Sequence, residues 1–391
     1  MNFFNTRKQI LGFRTEATPY TAEDLSGDVA GNFNIYHENI KVTLHVDMNP
    51  RKYSLAELAQ FKAVPGKKHV EIDCEIPLQG PGALNGGPGF VNGTPPNLGK
   101  ILMSLGFVGT ENIPSGTSLG WQYERRGRLE YSPMTMWYVA ASETNAGAET
   151  GLVLKVSGVC GDADIVFAGS KPVMLKCKFQ GALVVDPMNA GDVFGEGWPA
   201  FVSNVLTTAS DTSLPPNWFG TDLNLFGFAD QLNPNLNDVL YKFSLQADTY
   251  TLKLGNKVTM VEDIRVGFSG YMGAKIGDAE VMGSMTPYML AQSDQDLWAE
   301  IINSKPLHVE TWVGYHDTDI SNFIKFDVWL ASIVKGYTPN ARGDFLGNPI
   351  EFESIRTPAI AGPCLFTISF GSWIGQTGYS GVTTDFLAIN D

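Results

Sequence analysis

The stretch His69-Val70-Glu71-Ile72-Asp73-Cys74-Glu75-Ile76-Pro77-Leu78 decides the fold class of this chain. Apolar side chains occupy every second position from Val70 to Ile76, and carboxylates occupy the positions between them. Because successive side chains of a strand point to opposite faces, this alternation predicts a β-strand with one buried and one solvated face. The solvated face then carries a row of three carboxylates, Glu71, Asp73 and Glu75.

Further strand-like segments flank this strand on both sides. In the first half they cover 34–47, 134–140, 151–159, 163–167 and 173–185, and in the second half 245–254, 263–268, 280–289, 308–315, 322–334 and 350–355. Three short helices are predicted, over 54–62, 97–106 and 292–302. The helix over 97–106 has Asn97 as its expected N-terminal cap and Gly106 as its terminator. Strands therefore dominate, and the chain is predicted to be mainly β.

The order of strand, short helix, strand pair and hairpin occurs twice, which predicts an internal duplication. We expect an N-terminal arm over 1–30, a first β-domain over 31–190, a linker or extended loop over 191–238 and a second β-domain over 239–391. The region from about 186 to 238 is rich in Pro, Asn, Gly and Asp and carries few strand signals, which favours an extended connection.

Composition narrows the class of function. Charged residues make up only 17% of the chain, against about 25% in an average soluble domain. This fits a protein that covers much of its surface with neighbours, and it also fits a large β-protein. The net charge of −14 argues against sequence-specific recognition of nucleic acid, which relies on basic patches. It leaves open a conduit for nucleic acid, whose acidic wall would prevent adhesion by repulsion.

Motifs of catalysis or metal binding are weak in this sequence. The histidines form no HxH or HExxH pattern, the four cysteines form no CxxC pair, and no glycine-rich loop ends in Lys-Ser/Thr. His45 and Asp47 share a strand face and could bind a metal, although two solvated polar residues are the favoured interpretation. The carboxylate row points one way onto an open face, whereas a glycosidase needs two carboxylates on opposite sides of a bond. No catalytic residue, metal or cofactor is predicted.

Other features suggest a protein made in a reducing compartment. The cysteines are expected to be small apolar core residues. The N-terminus lacks the apolar stretch of a signal peptide, and no segment approaches 18 consecutive apolar residues. We expect a protein that is made and used in the cytoplasm or in a particle assembled there. One basic cluster, Arg125, Arg126 and Arg128, is expected to pair with carboxylates of a neighbouring subunit in preference to DNA.

The segment 64–107 resembles the tail tube proteins of siphophages, the long-tailed bacteriophages. In that family a strand leads through a glycine-rich loop into a short helix of the form P-x-x-x-x-L-L-x-x-x-G-F. The run from Pro96 to Phe107 is similar to this helix, with Gly99 where a larger residue is usual. The segments 154–161 and 171–181 are similar to two further strands of the family.

The resemblance implies a β-sandwich or barrel with a flanking helix in each half, and a structural rather than enzymatic function. Tube subunits join their sheets edge to edge into rings, and the rings stack into a hollow conduit around the tape-measure protein. DNA later passes through this conduit. The resemblance further implies contacts with tail-tip or baseplate and tail-terminator proteins, and a place in the virion tail, assembled in the host cytoplasm.

The resemblance also implies positions for particular residues. Glu71, Asp73 and Glu75 would line the lumen. Loops between subunits would include Gly80, Gly82, Gly86 and Gly87 and the arginines Arg125, Arg126 and Arg128. The segments 1–30, 79–96 and 186–238 would reach the next ring. Rings of the family hold six tube domains, so a chain with two of them implies a trimer with pseudo-sixfold symmetry, which we favour over a hexamer.

Two other functions remain open at this point. The first is another virion structural protein, such as a baseplate, distal-tail or capsid-decorating component, which would not polymerise into hollow cylinders. The second is a carbohydrate-active β-sandwich protein, whose hydrolytic activity would be lost on Glu71→Gln.

Overall fold

The computed structural model describes residues 4–51, 61–78, 96–112, 120–126, 131–142, 151–169, 171–184, 205, 223–228, 239–245, 247–263, 265, 269–288, 307–313, 323–334, 340–342, 345–355 and 364–371. Two short helices lie in this part of the chain, α1 (Val29–Asn32) and α2 (Gly99–Ser104). The strands are β1 (Phe4–Thr15), β2 (Glu38–Arg51), β3 (Phe61–Pro77), β4 (Val108–Asn112), β5 (Gly120–Arg126), β6 (Met134–Ser142), β7 (Gly151–Ala168), β8 (Met174–Leu183), β9 (Leu223–Phe228), β10 (Val239–Ser244), β11 (Ala247–Lys253), β12 (Asn256–Glu262), β13 (Tyr271–Ala279), β14 (Met282–Pro287), β15 (Leu307–Val313), β16 (Phe323–Ile333), β17 (Asn340–Arg342), β18 (Phe345–Gly347), β19 (Ile350–Ser354) and β20 (Cys364–Gly371). The prediction of a mainly β protein is confirmed.

Sixteen of these strands belong to one antiparallel sheet. Its longest path runs β10-β9-β15-β16-β19-β14-β11-β7-β8-β3-β2. The sheet branches at β7, through β6 to β1, and at β16, through β20 and β5 to β4. Two smaller sheets pair β12 with β13 and β17 with β18. The two halves of the chain are therefore joined by continuous strand pairing.

The same strand order occurs twice within the large sheet. The strands β2, β3, β6, β7 and β8 lie in the spatial order β2-β3-β8-β7-β6. The strands β11, β14, β15, β16 and β19 lie in the order β11-β14-β19-β16-β15. Numbered along the chain within each set, both orders are 1-2-5-4-3. The shared order agrees with the expected duplication, which itself stays a prediction.

A single hydrophobic core spans both sets of strands. The alternate residues of β3, from Val70 to Ile76, are at most 2% exposed, as their spacing predicts. They share one cluster of buried side chains with Phe326 and Phe352 from the second half. At the junction, the ring of Phe167 lies 5.0 Å from that of Phe326, measured between centroids. The second half therefore packs against the first, and their described strands contribute to the same core cluster.

The N-terminal arm predicted over 1–30 is wrong for Phe4–Thr15, which is strand β1 and pairs with β6. Leu11 and Phe13 are fully buried in the core. These two residues provide an apolar face at the spacing of a strand. The polar and turn-forming residues that follow them dominate the composition of 1–30, which is why the sequence predicts an arm there.

The linker predicted over 191–238 is also wrong in part, because Leu223–Phe228 is strand β9, between β10 and β15. Leu223 and Leu225 are buried at alternate positions. A strand of six residues gives too short a periodic signal to stand out between segments rich in Pro and Asn.

The helix predicted over 97–106 is confirmed as α2, and Gly106 ends it with a φ of +96°, which favours glycine. Its N-terminal cap is Leu98, without a side-chain hydrogen bond, so the expected cap at Asn97 is wrong. The strand predicted over 263–268 is wrong at Asp263 and Arg265, which belong to no strand, and its other positions lie outside the described residues. The helix predicted over 292–302 lies outside the described residues. So does the helix over 54–62, except for its last two residues, which belong to β3.

Candidate functional site

The carboxylate row of β3 lies on the polar face of the sheet, as predicted, but it is balanced by positive charge. Lys176 Nζ lies 3.0 Å from Glu75 Oε1, and Asn39 donates a hydrogen bond of 2.7 Å to Glu75 Oε2. These two contacts lower the pKa of Glu75. Asp73 lies in register with Lys41 on β2 and with Lys178 on β8. These carboxylates alone do not form an acidic wall, and their place in a lumen stays a prediction.

The third carboxylate, Glu71, belongs to a cluster with two histidines. His45 of β2 is the cross-strand partner of His69 of β3, and Glu71 is the next residue on the same face. The two imidazole rings stack with centroids 4.6 Å apart and planes inclined by 10°. His45 Nε2 lies 3.2 Å from Glu71 Oε2. Gln180 of β8 donates a hydrogen bond of 2.9 Å to the other carboxylate oxygen, Oε1.

Each member of this cluster, which we call the histidine pair site (His45, His69 and Glu71), is partly exposed. Burial and the neighbouring His45 lower the pKa of His69. Burial would raise the pKa of Glu71, but His45 and the positive charge of Lys178 outweigh it, so the pKa of Glu71 is lowered. Near neutral pH the site therefore offers an ionised carboxylate beside a neutral His69.

A hairpin from the second half borders this site. Strands β12 and β13 lie against β7 and β8, and Cys160 and Ile276 share a small apolar cluster between the two layers. At the end of the hairpin, Lys68 N donates a hydrogen bond of 2.8 Å to the carbonyl of Ser269. The ring of Tyr271 stands edge-on to His69 with centroids 5.7 Å apart. The histidine pair site thus has one wall from the other half of the chain.

A second cluster joins β15 and β16, and we call it the lysine-filled cluster (His308, Glu310, Lys325 and Asp327). Its histidine and both carboxylates are at most 8% exposed. Lys325 Nζ lies 2.8 Å from Glu310 Oε2 and 3.0 Å from Asp327 Oδ1. His308 Nε2 lies 3.2 Å from the same Asp327 oxygen. The ammonium of Lys325 therefore occupies the space between the acidic oxygens.

Charge attraction dominates the titration of this cluster. Burial opposes ionisation of both Lys325 and Asp327. The carboxylates nevertheless hold the pKa of Lys325 above its usual value, and the lysine holds the pKa of Asp327 below its usual value. The indole of Trp312 donates a hydrogen bond of 2.7 Å to Glu310 Oε1. This network is an internal ion cluster whose cation is part of the protein.

The predicted basic cluster is wrong at Arg125, which is 1% exposed and lies inside the molecule. It donates a hydrogen bond to the side-chain oxygen of Asn256 and lies over the ring of Phe107, 5.9 Å from its centroid. Burial lowers the pKa of Arg125 to about 10, although Asp162 attracts its charge. Pairing of β5 with β20 places Tyr123 and Arg125 on the buried face of the strand.

The remaining predicted contact residues lie beyond what the structure describes. Arg126 ends β5, and its side chain is not among the described ones. Arg128 and the loop glycines Gly80, Gly82, Gly86 and Gly87 lie outside the described residues. Their role between subunits stays a prediction.

No family model and no curated protein matches this sequence. The likeness to tail tube proteins therefore rests on the motifs in the sequence. Within the described part of the chain, no helix is long and apolar enough to cross a membrane.

Proposed function

We propose that this chain is a structural subunit that joins copies of itself through the edges of its sheet, and that the assembly is the tube of a long-tailed phage tail. The observation that carries the proposal is the junction between the two equivalent sets of strands. There, Asp164–Ala168 at the end of β7 pairs with Thr249–Lys253 of β11. One set of strands is thus continued by the next within the chain.

This junction supplies a rule for joining two chains. β11 is the first strand of its set and corresponds to β2 in the other set. β2 pairs with β3 on one side, and on its other side it meets no strand among the residues that the structure describes. By the same rule, the free edge of β2 would accept the end of β16 from another copy. This relation is head to tail and repeats from copy to copy, so it closes into a ring or continues as a helix.

The hairpin of β2 and β3 gives a second reason to expect a partner. β3 pairs with β8 only between His69 and Pro77, whereas its pairing with β2 continues until Arg51 lies opposite Phe61. The far end of the hairpin is therefore a two-stranded ribbon beyond the β3–β8 pairing. Leu44 and Met48 on β2 are 41% and 58% exposed. Isolated ribbons are marginally stable in water and apolar edges tend to associate, so both features favour a covered edge.

The identity of the assembly as a tail tube depends on the resemblance of residues 64–107 to that family. With two equivalent sets per chain, three chains would form a ring of six, and stacked rings would enclose the tape-measure protein and later DNA. The net charge of −14 suits a conduit that does not retain DNA. The proposed role is structural, without catalysis.

Electron microscopy and sedimentation of the concentrated protein test the proposal. We expect wild-type protein to form rings that stack into hollow cylinders. The double variant Leu44→Lys/Met48→Lys should keep its circular dichroism spectrum but remain monomeric, because charge on an edge opposes strand addition. The control is Met282→Lys, a residue that is 40% exposed on β14, which has strand partners on both sides.

Three outcomes separate the possibilities. A wild-type protein that stays monomeric at every concentration would overturn the proposal. Assembly of the double variant at wild-type concentration would show that β2 is not the joining edge. Rings that never stack would retain the edge-to-edge contact but exclude the tube, and would favour another virion component.

A further inference from the structure

We propose that the histidine pair site binds a divalent transition-metal ion of the zinc type through His45, His69 and Glu71. The inference does not depend on the tube proposal, because it rests on side chains within one chain. Neither histidine belongs to a metal-binding motif, and the two lie 24 positions apart in the sequence. Only the pairing of β2 with β3 brings them together.

The donor set fits this class of ion. Two imidazole nitrogens and one carboxylate oxygen are a common set of three protein ligands for zinc, with a fourth position left for water. Calcium and magnesium prefer oxygen ligands throughout, so two histidines disfavour them. The side chains are partly exposed, which gives an ion access from solvent.

The distances are close to those of a loaded site. Zinc bonds of about 2.0–2.1 Å in a tetrahedron place neighbouring ligand atoms about 3.3 Å apart. His45 Nε2 and Glu71 Oε2 are already 3.2 Å apart. His45 Nε2 is shielded from solvent and makes no hydrogen bond of regular geometry. One ligand atom from each of the three residues lies within 4.8 Å of the others, and rotation of the stacked imidazole rings would bring their nitrogens to bonding distance of one ion.

Neighbouring residues hold these ligands in place. The hydrogen bond from Gln180 to Glu71 Oε1 orients the carboxylate and leaves Oε2 directed at His45. Such outer contacts raise the affinity of a metal site by fixing its ligands. The ring of Tyr271 stands edge-on to His69 and borders the site. Three strands and the bordering hairpin thus contribute to one site.

The lysine-filled cluster has a comparable donor set but leaves no room for an ion. The ammonium of Lys325 lies within 3.0 Å of oxygens from both carboxylates. In the histidine pair site, the described residues show one such close contact, and it joins the two proposed ligands His45 and Glu71 themselves. This difference favours metal binding at the exposed cluster alone.

The experiment uses tag-free protein from which metal has been removed with a chelator. Binding of Zn²⁺ is measured by isothermal titration calorimetry, and binding of Co²⁺ is measured by its visible absorption. We expect one ion per chain and a cobalt spectrum typical of a four-coordinate site. The double variant His45→Gln/His69→Gln should abolish this binding. Gln180→Ala should weaken it about 10-fold through loss of carboxylate orientation. Mg²⁺ at the same concentration should not compete.

The matched control is Asp73→Asn, which removes the next carboxylate on the same strand face and should leave affinity unchanged. Binding should weaken as the solution is made acidic, because protonated imidazole is not a ligand. Zn²⁺ affinity that is equal in wild type and in the double histidine variant would overturn the proposal. So would an equal loss in Asp73→Asn, which would indicate general attraction to a polar surface.

Discussion

The two histidine–carboxylate clusters of this molecule share their construction but differ in what balances their charge. Both lie across a pair of antiparallel strands, and in both a histidine nitrogen lies 3.2 Å from a carboxylate oxygen. In the lysine-filled cluster, Glu310 and Asp327 are nearly buried and Lys325 lies between them. In the histidine pair site, Glu71 is partly solvated, and no lysine in the described part of the chain forms an ion pair with it.

The difference follows from the cost of burying charge. A carboxylate removed from water requires a partner, and Lys325 of β16 provides one to Asp327 on its own strand and to Glu310 on the neighbouring strand. A partly exposed carboxylate is stabilised by solvent and does not need such a partner. Burial therefore turns one cluster into an internal part of the fold, whereas exposure leaves the other available to a ligand.

The largest expected effect comes from removing the internal cation. Lys325→Met leaves Glu310 and Asp327 buried without their counter-charge, and breaking a buried pair in this way costs about 3–5 kcal/mol. Because the side chain of Lys325 is 22% exposed, we expect a loss at the lower end of this range, about 3 kcal/mol. Urea unfolding followed by tryptophan fluorescence measures the loss. The control is Lys257→Met, which removes an ion pair whose partners are both 68% exposed and should cost nothing measurable.

The pH dependence of that variant has a definite sign. In the wild type, the lowered pKa of Asp327 gives stability that is present above its usual value of 3.8 and lost as the pH falls through the lower folded value. In Lys325→Met, burial without the ammonium raises the pKa of Asp327, so protonation of this carboxylate stabilises the variant as the pH falls. The difference in unfolding free energy between the wild type and Lys325→Met should therefore become smaller as the pH is lowered from about 8 to about 5. A constant difference would show that the lysine does not balance these groups.

A smaller effect is expected where the bordering hairpin crosses the first half. A Cβ atom on Gly273 would lie 2.7 Å from the Cα of Gly158 and 2.6 Å from the ring of Tyr20. Gly273→Ala should therefore push β13 outwards and cost about 1–3 kcal/mol in urea unfolding. Tyr271 is two residues away, so the wall of the histidine pair site should loosen and its Zn²⁺ affinity should fall.

The control for that variant lies four positions further along the same strand. A Cβ atom on Gly277 would meet only the carbonyl oxygen of Lys257, at 3.7 Å, which is an ordinary contact. Gly277→Ala should leave stability unchanged or raise it by about 0.5–1 kcal/mol, since alanine loses less freedom on folding. Equal stability of the two variants would contradict the close crossing of Gly273 and Gly158.

These contrasts show which parts of the molecule could be predicted from the sequence. The buried face of β3 follows from a period of two over four apolar residues, and a glycine after an apolar helical run predicts the end of α2. Both signals are local. The short strand β9 has too few residues to show a period. In β1 only Leu11 and Phe13 form an apolar pair at strand spacing, and the long polar stretch that follows them dominates the local pattern.

The sites could not be predicted because they depend on register between distant strands. The sequence places His45 and Asp47 on one face of one strand and favours two solvated polar residues there. The structure brings His45 to His69 instead, through pairing of β2 with β3. The sequence predicts that Arg125 pairs with carboxylates of a neighbouring subunit, yet the non-local pairing of β5 with β20 turns it inwards. Neither strand pairing can be predicted from the local sequence of the strands involved.

The smallest effect is expected on the solvated face, where Glu75→Gln removes the charge that pairs with Lys176. The side chains of the two residues are 27% and 50% exposed, and such pairs contribute at most about 1 kcal/mol. The amide can still accept the hydrogen bond from Asn39, so we expect a loss of about 0.5 kcal/mol or less in urea unfolding, diminishing with added salt. Because Glu75 lies outside the histidine pair site, Zn²⁺ affinity should not change. A loss comparable to that of Lys325→Met would mean that this face is covered in solution, and that the contrast between a buried and an open cluster does not hold.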